Sequence, residues 1–459
     1  MARNFFSLSL KRLEAWKNTG TRLQRWGGGG GGRRRKLMIT AGLIGGGGGL
    51  LTISGISYAE EASPRATGTK RPSHFYIVGD IGGTKSRIQM YRSDQELKEE
   101  RLVAAKTFPS QEYGSLTTIL EEFIAENKEA MGRHSARACV MAVAGPVELN
   151  RVYMPNTNWN LDGEEMAKAL NINKVVLMND FVGVGYGILG LDKQDYISIQ
   201  DKPCNPRGPI VVFGPGTGLG QAYLTCDGRR EYTVWPSEGG HADWAPRTNE
   251  EMRLWHFLKN RIRNRMRVRG SIVEVDHVSN ERVISGSGIA DLYDFFRGEH
   301  PEFIDPKLEM KMNHMDKSAV VSIHGAKNDN FLCRMAMEQW ARSFGQAVGD
   351  LALAYMPTGG IYIAGGVTPK NMQILEETNL TKWINAKGRL SKTMESIPIF
   401  VVKDKVPVGL IGSRVVARRV LRELYPTEEI HVEGQPKNRL ESELFLEKQY
   451  PEIIHDFGM

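Results

Sequence analysis

The sequence predicts an α/β protein with at least two domains, and three observations support this prediction. The chain has 459 residues, of which 41% are hydrophobic and 25% are charged, so it can form more than one buried core. From about residue 75 onward, short β-rich runs alternate with helical patterns. A strand, a turn rich in Gly and Thr, and another strand occur near residues 82–84 and again near residues 214–220, where a second domain begins.

The first 36 residues have the composition of a targeting segment. They contain ten Lys and Arg residues and one acid, Glu14. An Arg-rich, acid-poor, amphipathic segment is typical of a transit peptide, and the alternative is a disordered basic tail. We expect a mitochondrial address, with the plastid as the alternative. The other residues hold 50 basic and 52 acidic side chains, so the net charge of +7 belongs to this leader and predicts no nucleic-acid partner.

Residues 37–59 form an uncharged run that directly follows four cationic residues. The run is long enough to span a bilayer, and the positive charges before it would stay on the inner face. Its seven glycines lower its hydrophobicity and its helix propensity. Three alternatives therefore stay open, namely a membrane anchor, a second sorting signal or part of one long transit peptide. We assign residues 1–71 to this leader and a linker.

The four cysteines are scattered along the chain. They are Cys139, Cys204, Cys226 and Cys333, and none of them has CxxC spacing. This distribution argues against a zinc site and against a disulfide framework. We expect buried, small apolar side chains in a reducing compartment.

The folded part begins with a strand near residues 75–78 and a second, alternating strand near residues 86–91. Between them lies the glycine-rich sequence Gly79-Asp80-Ile81-Gly82-Gly83-Thr84. This hairpin excludes a Walker loop, because that loop opens a helix. Glycines let backbone N–H groups approach phosphate oxygens, Thr84 adds a hydroxyl, and Asp80 is placed to hold Mg²⁺. An ordinary glycine hairpin is the alternative.

The next segments lead to the polar pair Asn179-Asp180. Strands are predicted near residues 102–108, 138–143 and 175–178, and helices near residues 116–127, 164–170 and 182–191. The loop with Asn158 and Trp159 suits a sugar, because Asn binds hydroxyl groups and Trp covers an apolar sugar face, unless Trp159 fills the core. A strand that delivers an amide and a carboxylate into a loop can hold a catalytic group. An Asp at such a place is also a common turn residue or helix N-cap.

A second hairpin repeats the first one. Strands near residues 209–213 and 221–224 flank the glycine-rich turn at 214–220. Two such hairpins that face each other across a cleft could hold the two ends of a triphosphate. Glu238 and His241 follow, separated by two glycines, so both side chains are free to reach one small ligand. A Glu-x-x-His pair is also half of a metal site, but no second pair is evident, and hydroxyl recognition is favoured.

Five arginines alternate between residues 261 and 269. This pattern predicts a solvated surface hairpin or helix extension, and the alternative is an anion or membrane contact. Glu281 follows and lies near a predicted helix start.

The last part of the folded chain begins with a long helix at residues 331–355. A strand and a turn of small residues at 360–366 would let a flat purine lie against the backbone. A glycine-rich turn at 409–412 is predicted to begin a basic helix that ends near residue 424. The last 35 residues predict a peripheral extension.

Four segments together resemble the bacterial-type ATP-dependent glucokinases of the hexokinase/actin-like ATPase superfamily. They are VGDIGGTKSR (78–87), MNDF (178–181), FGPGTGLG (213–220) with EGGHADWAP (238–246), and HVSNERVISGSG (277–288). The resemblance covers about residues 74–421, in the order of the family. The Cys-rich zinc motif and the helix-turn-helix of the related repressor group are not visible here.

The resemblance implies an α/β two-domain actin-like ATPase (ribonuclease H-like) fold with a sugar and nucleotide cleft between the domains. The small domain would hold residues 72–190 and the helix at 407–424. The large domain would hold residues 191–406. The predicted C-terminal extension at 425–459 lies outside the pattern of the family, as do the leader and the arginine-rich segment. A homodimer is a further expectation.

The resemblance also implies a role for each candidate site residue. Asp180 would be the general base for the 6-hydroxyl of glucose. Other substrate ligands would be Asn179, Glu238, His241 and Glu281, with Asn158 of the polar loop as a further candidate. ATP would contact Gly79, Asp80, Gly82, Gly83, Thr84, Gly216, Thr217, Gly218, Gly365 and Gly366, and Asp80 would also serve Mg²⁺.

The predicted function is therefore ATP-dependent phosphorylation of glucose to glucose 6-phosphate, the first step of glycolysis. Phosphoryl transfer needs an aligned hydroxyl, a place for its proton and neutralised charge on the γ-phosphate, and the candidate residues supply each of these. One alternative is a sugar sensor without turnover, against which the intact Asp80, Thr84, Asp180 and Thr217 argue. Another alternative is a kinase for a different hexose.

Overall fold

The computed structural model describes residues 74–94, 97, 99–227, 231–268 and 276–426, with the backbone alone at 266–268. All of them belong to one compact unit, Gly68–Met459. The leader, the uncharged run at 37–59 and nearly all of the predicted extension at 425–459 lie outside the described residues. No helix in the described ranges has the length and apolar character needed to cross a bilayer.

The first sheet has five strands in the order β3-β2-β1-β4-β7. With the separate hairpin β5-β6, the strands of this half are β1 (His74–Ile81), β2 (Lys85–Ser93), β3 (Glu100–Pro109), β4 (Ala136–Val143), β5 (Arg151–Met154), β6 (Trp159–Asp162) and β7 (Lys174–Asn179). Strands β1, β2 and β3 are antiparallel, whereas β4 and β7 continue the sheet in parallel with β1.

The second sheet has six strands in the order β11-β10-β9-β12-β13-β8. These strands are β8 (Tyr196–Gln200), β9 (Ile210–Pro215), β10 (Leu219–Cys226), β11 (Tyr232–Ser237), β12 (Gly360–Ile363) and β13 (Ile399–Val402). Strands β9, β10 and β11 are antiparallel, β12 and β13 continue in parallel with β9, and β8 joins the far edge antiparallel to β13.

The two sheets repeat one topology. Strands β9, β10, β11, β12 and β13 occupy the places of β1, β2, β3, β4 and β7. The first glycine turn (Gly82–Thr84) joins β1 to β2, and the second glycine turn (Gly216–Gly218) joins β9 to β10. The repeated hairpin in the sequence is therefore part of a repeated sheet, and the two turns follow equivalent strands, β1 and β9.

Fourteen α-helices connect the strands in the described residues. They are α1 (Leu116–Glu126), α2 (Lys128–Met131), α3 (Gly163–Leu170), α4 (Asp180–Ile188), α5 (Asn249–Val268), α6 (Asn280–Ile284), α7 (Gly286–Glu299), α8 (Pro306–His314), α9 (Lys317–Lys327), α10 (Phe331–Tyr355), α11 (Met372–Glu377), α12 (Leu380–Asn385), α13 (Ser391–Glu395) and α14 (Val408–Leu424). The predicted bounds of α10 are confirmed. The domain boundaries at 190 and 406 stay predictions.

Helix α14 corrects one prediction, because residues 409–412 are helical and do not form a turn. The glycines serve the close packing of α14 against α4. A Cβ at Gly412 would overlap the carbonyl oxygen of Gly183, and a Cβ at Gly187 would overlap that of Val408. Since α14 also packs on β1 and β4, this glycine contact fixes α4, the helix that begins at Asp180, on the first sheet.

The arginine-rich segment is part of α5, as the predicted helix extension requires. Asp291 of α7, only 4% exposed, accepts ion pairs from Arg261 (2.8 Å) and Arg265 (2.7 Å). Arg261 also pairs with Asp294 at 2.6 Å. These two arginines therefore join α5 to α7 and do not form a free anion-binding surface. The side chain of Arg267 and the whole of Arg269 lie outside the described residues.

Each large sheet has its own apolar core. In the second sheet, Phe213 and Trp340 both lie 5.4 Å from the ring of Phe344 on α10. The prediction of buried cysteines is confirmed for Cys139 and Cys333 and is wrong for Cys204, which is exposed. Cys204 lies in the loop between β8 and β9, and loops run over the surface.

Candidate active site

Asp180 is the first residue of α4 and directly follows β7. The side-chain oxygen of Asn179 caps this helix, since it accepts hydrogen bonds from the N–H groups of Phe181 (2.8 Å) and Val182 (3.2 Å). The Asn179 amide nitrogen donates to the Gly145 carbonyl oxygen at 3.1 Å. The N-cap of this helix is therefore Asn179 and not Asp180, for which the alternative was raised, and this cap holds Asp180 at the end of the strand.

Phe181 connects the same helix start to the second hairpin. A Cβ at Gly214 would lie 2.5 Å from the Phe181 ring, and a Cβ at Gly220 would overlap it. Only glycine lets the ring lie this close to β9 and β10. Asp180 is thus fixed on one side by the first sheet and on the other by the hairpin that carries the second glycine turn.

The electrostatics of Asp180 differ from those of an exposed carboxylate. Burial raises the pKa of Asp180, the N–H of Phe181 opposes this rise, and the negative charges of Asp80 and Glu238 add to it. Burial also raises the pKa of Asp80, and Arg87, whose Nη1 lies 3.5 Å from Asp80 Oδ2, counters this only in part. The charges of Asp80 and Glu238 therefore both act on the Asp180 carboxyl group.

The first glycine turn is held from outside by Ser110. The buried Ser110 hydroxyl donates to the Gly82 carbonyl oxygen at 2.7 Å, and the Ser110 N–H donates to the Thr84 carbonyl oxygen at 3.0 Å. The Asn156 side chain also lies against this turn, because a Cβ at Gly83 would come within 2.6 Å of it. The side chain of Thr84 stays exposed. Sequence reasoning missed Ser110, which no motif marks.

The structure decides between the two alternatives for Trp159 in the polar loop. Trp159 is 1% exposed and its Nε1 donates to the Tyr113 carbonyl oxygen at 3.1 Å, so it fills the core and does not cover a sugar. Asn158 is exposed and accepts a hydrogen bond from the Tyr153 hydroxyl at 3.0 Å. Within this loop, Asn156 is the residue in contact with the first glycine turn, and a sugar contact of Asn158 stays a prediction.

The second glycine turn is held by the segment 281–286. The Glu281 Oε2 atom accepts a hydrogen bond from the Leu219 N–H at 2.9 Å. The Gly286 N–H donates to the Gly216 carbonyl oxygen at 2.9 Å. Within the turn, the Gly216 N–H donates to the Gly218 carbonyl oxygen at 2.8 Å, and Thr217 is exposed at the tip. Both ends of this turn are therefore bound from outside.

Glu238 and His241 lie on the other side of Leu219. Their side chains are 82% and 60% exposed, and Glu238 Oε2 lies 3.8 Å from His241 Nε2. Gly240 packs directly on the Leu219 carbonyl oxygen, where a Cβ would overlap it. Leu219 thus contacts both Glu281 and the loop that carries Glu238 and His241. Among the described residues, no set of three or more His, Cys, Asp or Glu side chains could hold a metal ion.

A cavity of about 600 Å³ borders this loop. It is lined by His241, Ala242, Asp243, Asp276 and His277. A second depression, of about 630 Å³, is lined among others by Arg137, Lys168 and Lys174 at the opposite ends of β4 and β7, and contains none of the predicted site residues. The two cavities have similar volumes, so volume does not distinguish them. The candidate site is identified by the chemistry of its residues.

The predicted purine segment lies beside the second glycine turn. The Ala364 N–H donates to the Phe213 carbonyl oxygen at 2.8 Å, which extends the pairing of β12 with β9. Gly365 has a φ of +125°, and a Cβ there would lie 2.6 Å from the Pro215 carbonyl oxygen, so this position requires glycine. At Gly366 the nearest atom, Lys370 Nζ, is 4.0 Å away, which leaves open space at this residue.

Comparisons with known proteins agree with this geometry. The glucokinase family model matches residues 77–420. The chain is 35% identical over 358 residues to a glucokinase of Synechocystis sp., which covers 74% of this chain and 97% of that protein. It is 30% identical over 350 residues to a glucokinase of Yersinia enterocolitica, which covers 76% of this chain and 97% of that protein.

Two solved structures are also similar. A glucokinase of an Antarctic psychrotroph has a TM-score of 0.62 and 28% identity, and covers 75% of this chain and 99% of that chain. The glucokinase of Balamuthia mandrillaris, solved with glucose, has a TM-score of 0.62 and 20% identity, and covers 76% of this chain and 95% of that chain. At this lower identity the second similarity concerns the fold alone.

Proposed function

This chain belongs to the glucokinase family, and we propose that Asp180 is the general base with which it phosphorylates the 6-hydroxyl of glucose. It is an ATP-dependent hexose kinase with the predicted α/β actin-like ATPase fold. The observation that carries the assignment of the base is the position of Asp180. This half-buried carboxylate with a raised pKa begins α4, between the two hairpins that carry the glycine turns.

In the proposed reaction, the 6-hydroxyl oxygen attacks the γ-phosphorus of ATP and its proton passes to the Asp180 carboxylate. The bond from the γ-phosphorus to the bridging oxygen breaks, and ADP leaves. The raised pKa makes Asp180 a stronger base than an exposed aspartate. Asn179, Glu238, His241 and Glu281 would hold the other sugar hydroxyls, so that the attacking oxygen is aligned with the phosphate.

The residues near the first glycine turn fit a divalent cation. Asp80 raises the pKa of Asp180, so the two carboxylates repel each other, and the Arg87 side chain beside them is 54% exposed. Mg²⁺ is usually bound by one or two carboxylates together with substrate phosphates. Asp80 would hold the ion directly or through water. When bound there, Mg²⁺ would neutralise charge on the phosphates.

The test is glucose 6-phosphate formation from glucose and Mg-ATP by the full chain and by Asp180→Ala. We expect the variant to lose about 10²- to 10⁴-fold in kcat, the usual contribution of a general base, and to keep its glucose affinity. Glucose binding without turnover in the unmodified chain would favour the sugar sensor. No glucose binding at all would direct the search to another hexose.

We also propose that residues 1–36 carry a mitochondrial address and that 37–59 associates with a membrane. The proposal rests on the Arg-rich, acid-poor composition of the leader and on the uncharged run that follows it. A fluorescent reporter fused to residues 1–71 should appear in mitochondria, and plastid fluorescence would instead support the alternative address. Pelleting of the full chain with membranes tests the second part, and sizing of the soluble fraction tests the expected homodimer.

A further inference from the structure

We propose that Glu281 is a positioning residue that couples the sugar pocket to the second glycine turn, in addition to being a sugar ligand. The inference rests on the proposed function, which places a sugar hydroxyl at Glu281 and phosphate at Gly216–Gly218. It predicts that sugar and nucleotide each bind more tightly when the other is present, and that one carboxylate carries this effect.

The first step of the argument is the contact of Glu281 with the hairpin. Its Oε2 atom accepts the Leu219 N–H at 2.9 Å, and a Cβ at Gly218 would lie 2.6 Å from the same oxygen. A hydrogen bond from a backbone N–H to an ionised carboxylate is among the stronger kinds. A carboxylate has a second oxygen and further lone pairs, so Glu281 can hold the turn and accept a sugar hydroxyl together.

The second step is the support of Glu281 itself. Helix α6, which carries Glu281, is anchored at its end because the buried Trp340 Nε1 donates to the Ile284 carbonyl oxygen at 2.8 Å. Two residues further on, the Gly286 N–H binds the Gly216 carbonyl oxygen at 2.9 Å. The same short segment therefore holds both ends of the second glycine turn. A shift of the Glu281 carboxylate would change or break its hydrogen bond with the Leu219 N–H.

The third step is the sugar side of Leu219. The loop with Glu238 and His241 packs on the Leu219 carbonyl oxygen through Gly240, while Glu281 binds the Leu219 N–H. One hairpin residue thus lies between the predicted sugar ligands from two different segments. A sugar that binds Glu281 and the loop with Glu238 and His241 would bring these two segments together. It would thereby also set the orientation of the second glycine turn, which lies directly before Leu219.

The first experiment substitutes the turn and measures the sugar. Glucose affinity is determined by calorimetry without nucleotide for the full chain, Gly218→Ala and the matched control Gly216→Ala. At Gly218 the new Cβ would displace the Glu281 carboxylate, whereas at Gly216 no atom lies within 4 Å. Neither glycine has a positive φ, so backbone strain does not separate the two variants. We expect Gly218→Ala to weaken glucose binding about tenfold, and Gly216→Ala to leave it within about twofold.

The second experiment substitutes the sugar ligand and measures the nucleotide. Mg-ADP affinity is determined with and without glucose for Glu281→Gln and for the control Glu238→Gln, whose side chain is 82% exposed. We expect Glu281→Gln to weaken Mg-ADP binding without sugar about three- to tenfold and to abolish its enhancement by glucose. Glu238→Gln should weaken glucose binding and leave Mg-ADP binding without sugar unchanged.

The outcomes separate this inference from the proposed function. Unchanged glucose affinity in Gly218→Ala, or unchanged Mg-ADP affinity in Glu281→Gln, would overturn the coupling role, provided that melting curves show both variants folded. If Gly218→Ala does not fold, the Glu281→Gln measurement decides alone. A full chain that forms no glucose 6-phosphate would instead contradict the proposed function.

Discussion

The first and second glycine turns have the same place in two sheets of the same topology, yet they are held differently. The first turn is bound by Ser110, a neutral, buried hydroxyl that follows the neighbouring strand β3. The second turn is bound by Glu281, a carboxylate that the proposed function also assigns to the sugar. The first turn is therefore bound by a residue next to its own sheet, whereas the second turn is bound by a proposed substrate ligand.

This difference assigns separate tasks to the two turns. A turn that binds the Ser110 hydroxyl and no predicted sugar ligand would present Asp80 and the backbone N–H groups in one geometry, with or without sugar. A turn bound by a sugar ligand can report whether sugar is present. If both turns bind phosphate, as proposed, the first hairpin would be the fixed part of that site and the second hairpin the responsive part. Substitutions near each turn should then have different consequences for the two ligands.

The largest effect is expected for Gly240→Ala. This substitution disturbs Leu219, next to the second glycine turn, from the loop that carries Glu238 and His241. The new Cβ would overlap the Leu219 carbonyl oxygen, and backbone atoms cannot yield as a flexible side chain can. Overpacking typically costs about 1–3 kcal/mol, so we expect kcat/KM for glucose to fall by about 10- to 100-fold and the KM for ATP to rise with it. Steady-state kinetics with each substrate varied checks this.

The matched control for this prediction is Gly82→Ala in the first turn. There the nearest atom to a new Cβ, the Lys85 carbonyl oxygen, is 3.4 Å away, an ordinary contact. Any effect of this control should appear in the KM for ATP and not in glucose affinity. A Gly240→Ala variant that changes only the glucose parameters would mean that Leu219 does not connect the two ligands.

The sequence revealed the repeated hairpin because its cues are local, a run of glycines between two alternating strands. It did not reveal what holds each turn. Ser110 lies 28 residues from Gly82, and Glu281 lies 62 residues from Leu219, so these contacts exist only after the chain has folded. The resemblance marked Glu281 as a sugar ligand, but no sequence pattern shows that its second partner is a backbone N–H.

Errors in the sequence analysis have a similar cause. A loop that contains several asparagines does not show which of them contacts the first glycine turn; the structure places Asn156 there, and a sugar contact of Asn158 stays a prediction. The glycines at 409–412 were predicted to form a turn. They lie in a helix because Gly412 must pack on the backbone of α4. Glycine is used both in turns and where two backbones approach closely, and only the packed neighbour distinguishes the two.

A smaller effect is expected for Ser110→Ala, which tests whether the support of the first glycine turn affects ATP alone. The variant loses the hydroxyl that binds the Gly82 carbonyl oxygen at 2.7 Å and contacts Ser86 at 2.9 Å. A neutral hydrogen bond contributes about 1 kcal/mol, so the KM for ATP should rise about fivefold. Glucose affinity without nucleotide should not change, because Ser110 contacts no sugar candidate among its described partners. Calorimetry with glucose and kinetics with ATP test both statements, and a parallel loss of glucose affinity would show that the first turn is coupled as well.

The smallest effect is a difference of sign in thermal stability between the two carboxylates beside the turns. Burial raises the pKa of Asp80, which means that the ionised carboxylate is less stable in the folded protein than in the unfolded chain. At neutral pH this difference lowers the free energy of unfolding. Asp80→Asn should therefore raise Tm near pH 7, by on the order of 1–2 °C. This gain should shrink as the pH falls through the raised pKa of the folded state toward the ordinary value of 3.8.

Glu281→Gln should instead lower Tm at neutral pH, because it replaces a charge-assisted hydrogen bond to the Leu219 N–H with a weaker one. Melting curves of the full chain without ligands or Mg²⁺, measured between about pH 4.5 and pH 7.5, compare the two variants directly. Tm changes of opposite sign at pH 7 would mean that Asp80 destabilises the protein without a cation, whereas Glu281 stabilises the fold itself. If both variants had a higher Tm than the unmodified chain, the hydrogen bond of Glu281 to the Leu219 N–H would not stabilise the fold. The second glycine turn would then depend on Glu281 no more than the first turn depends on Asp80.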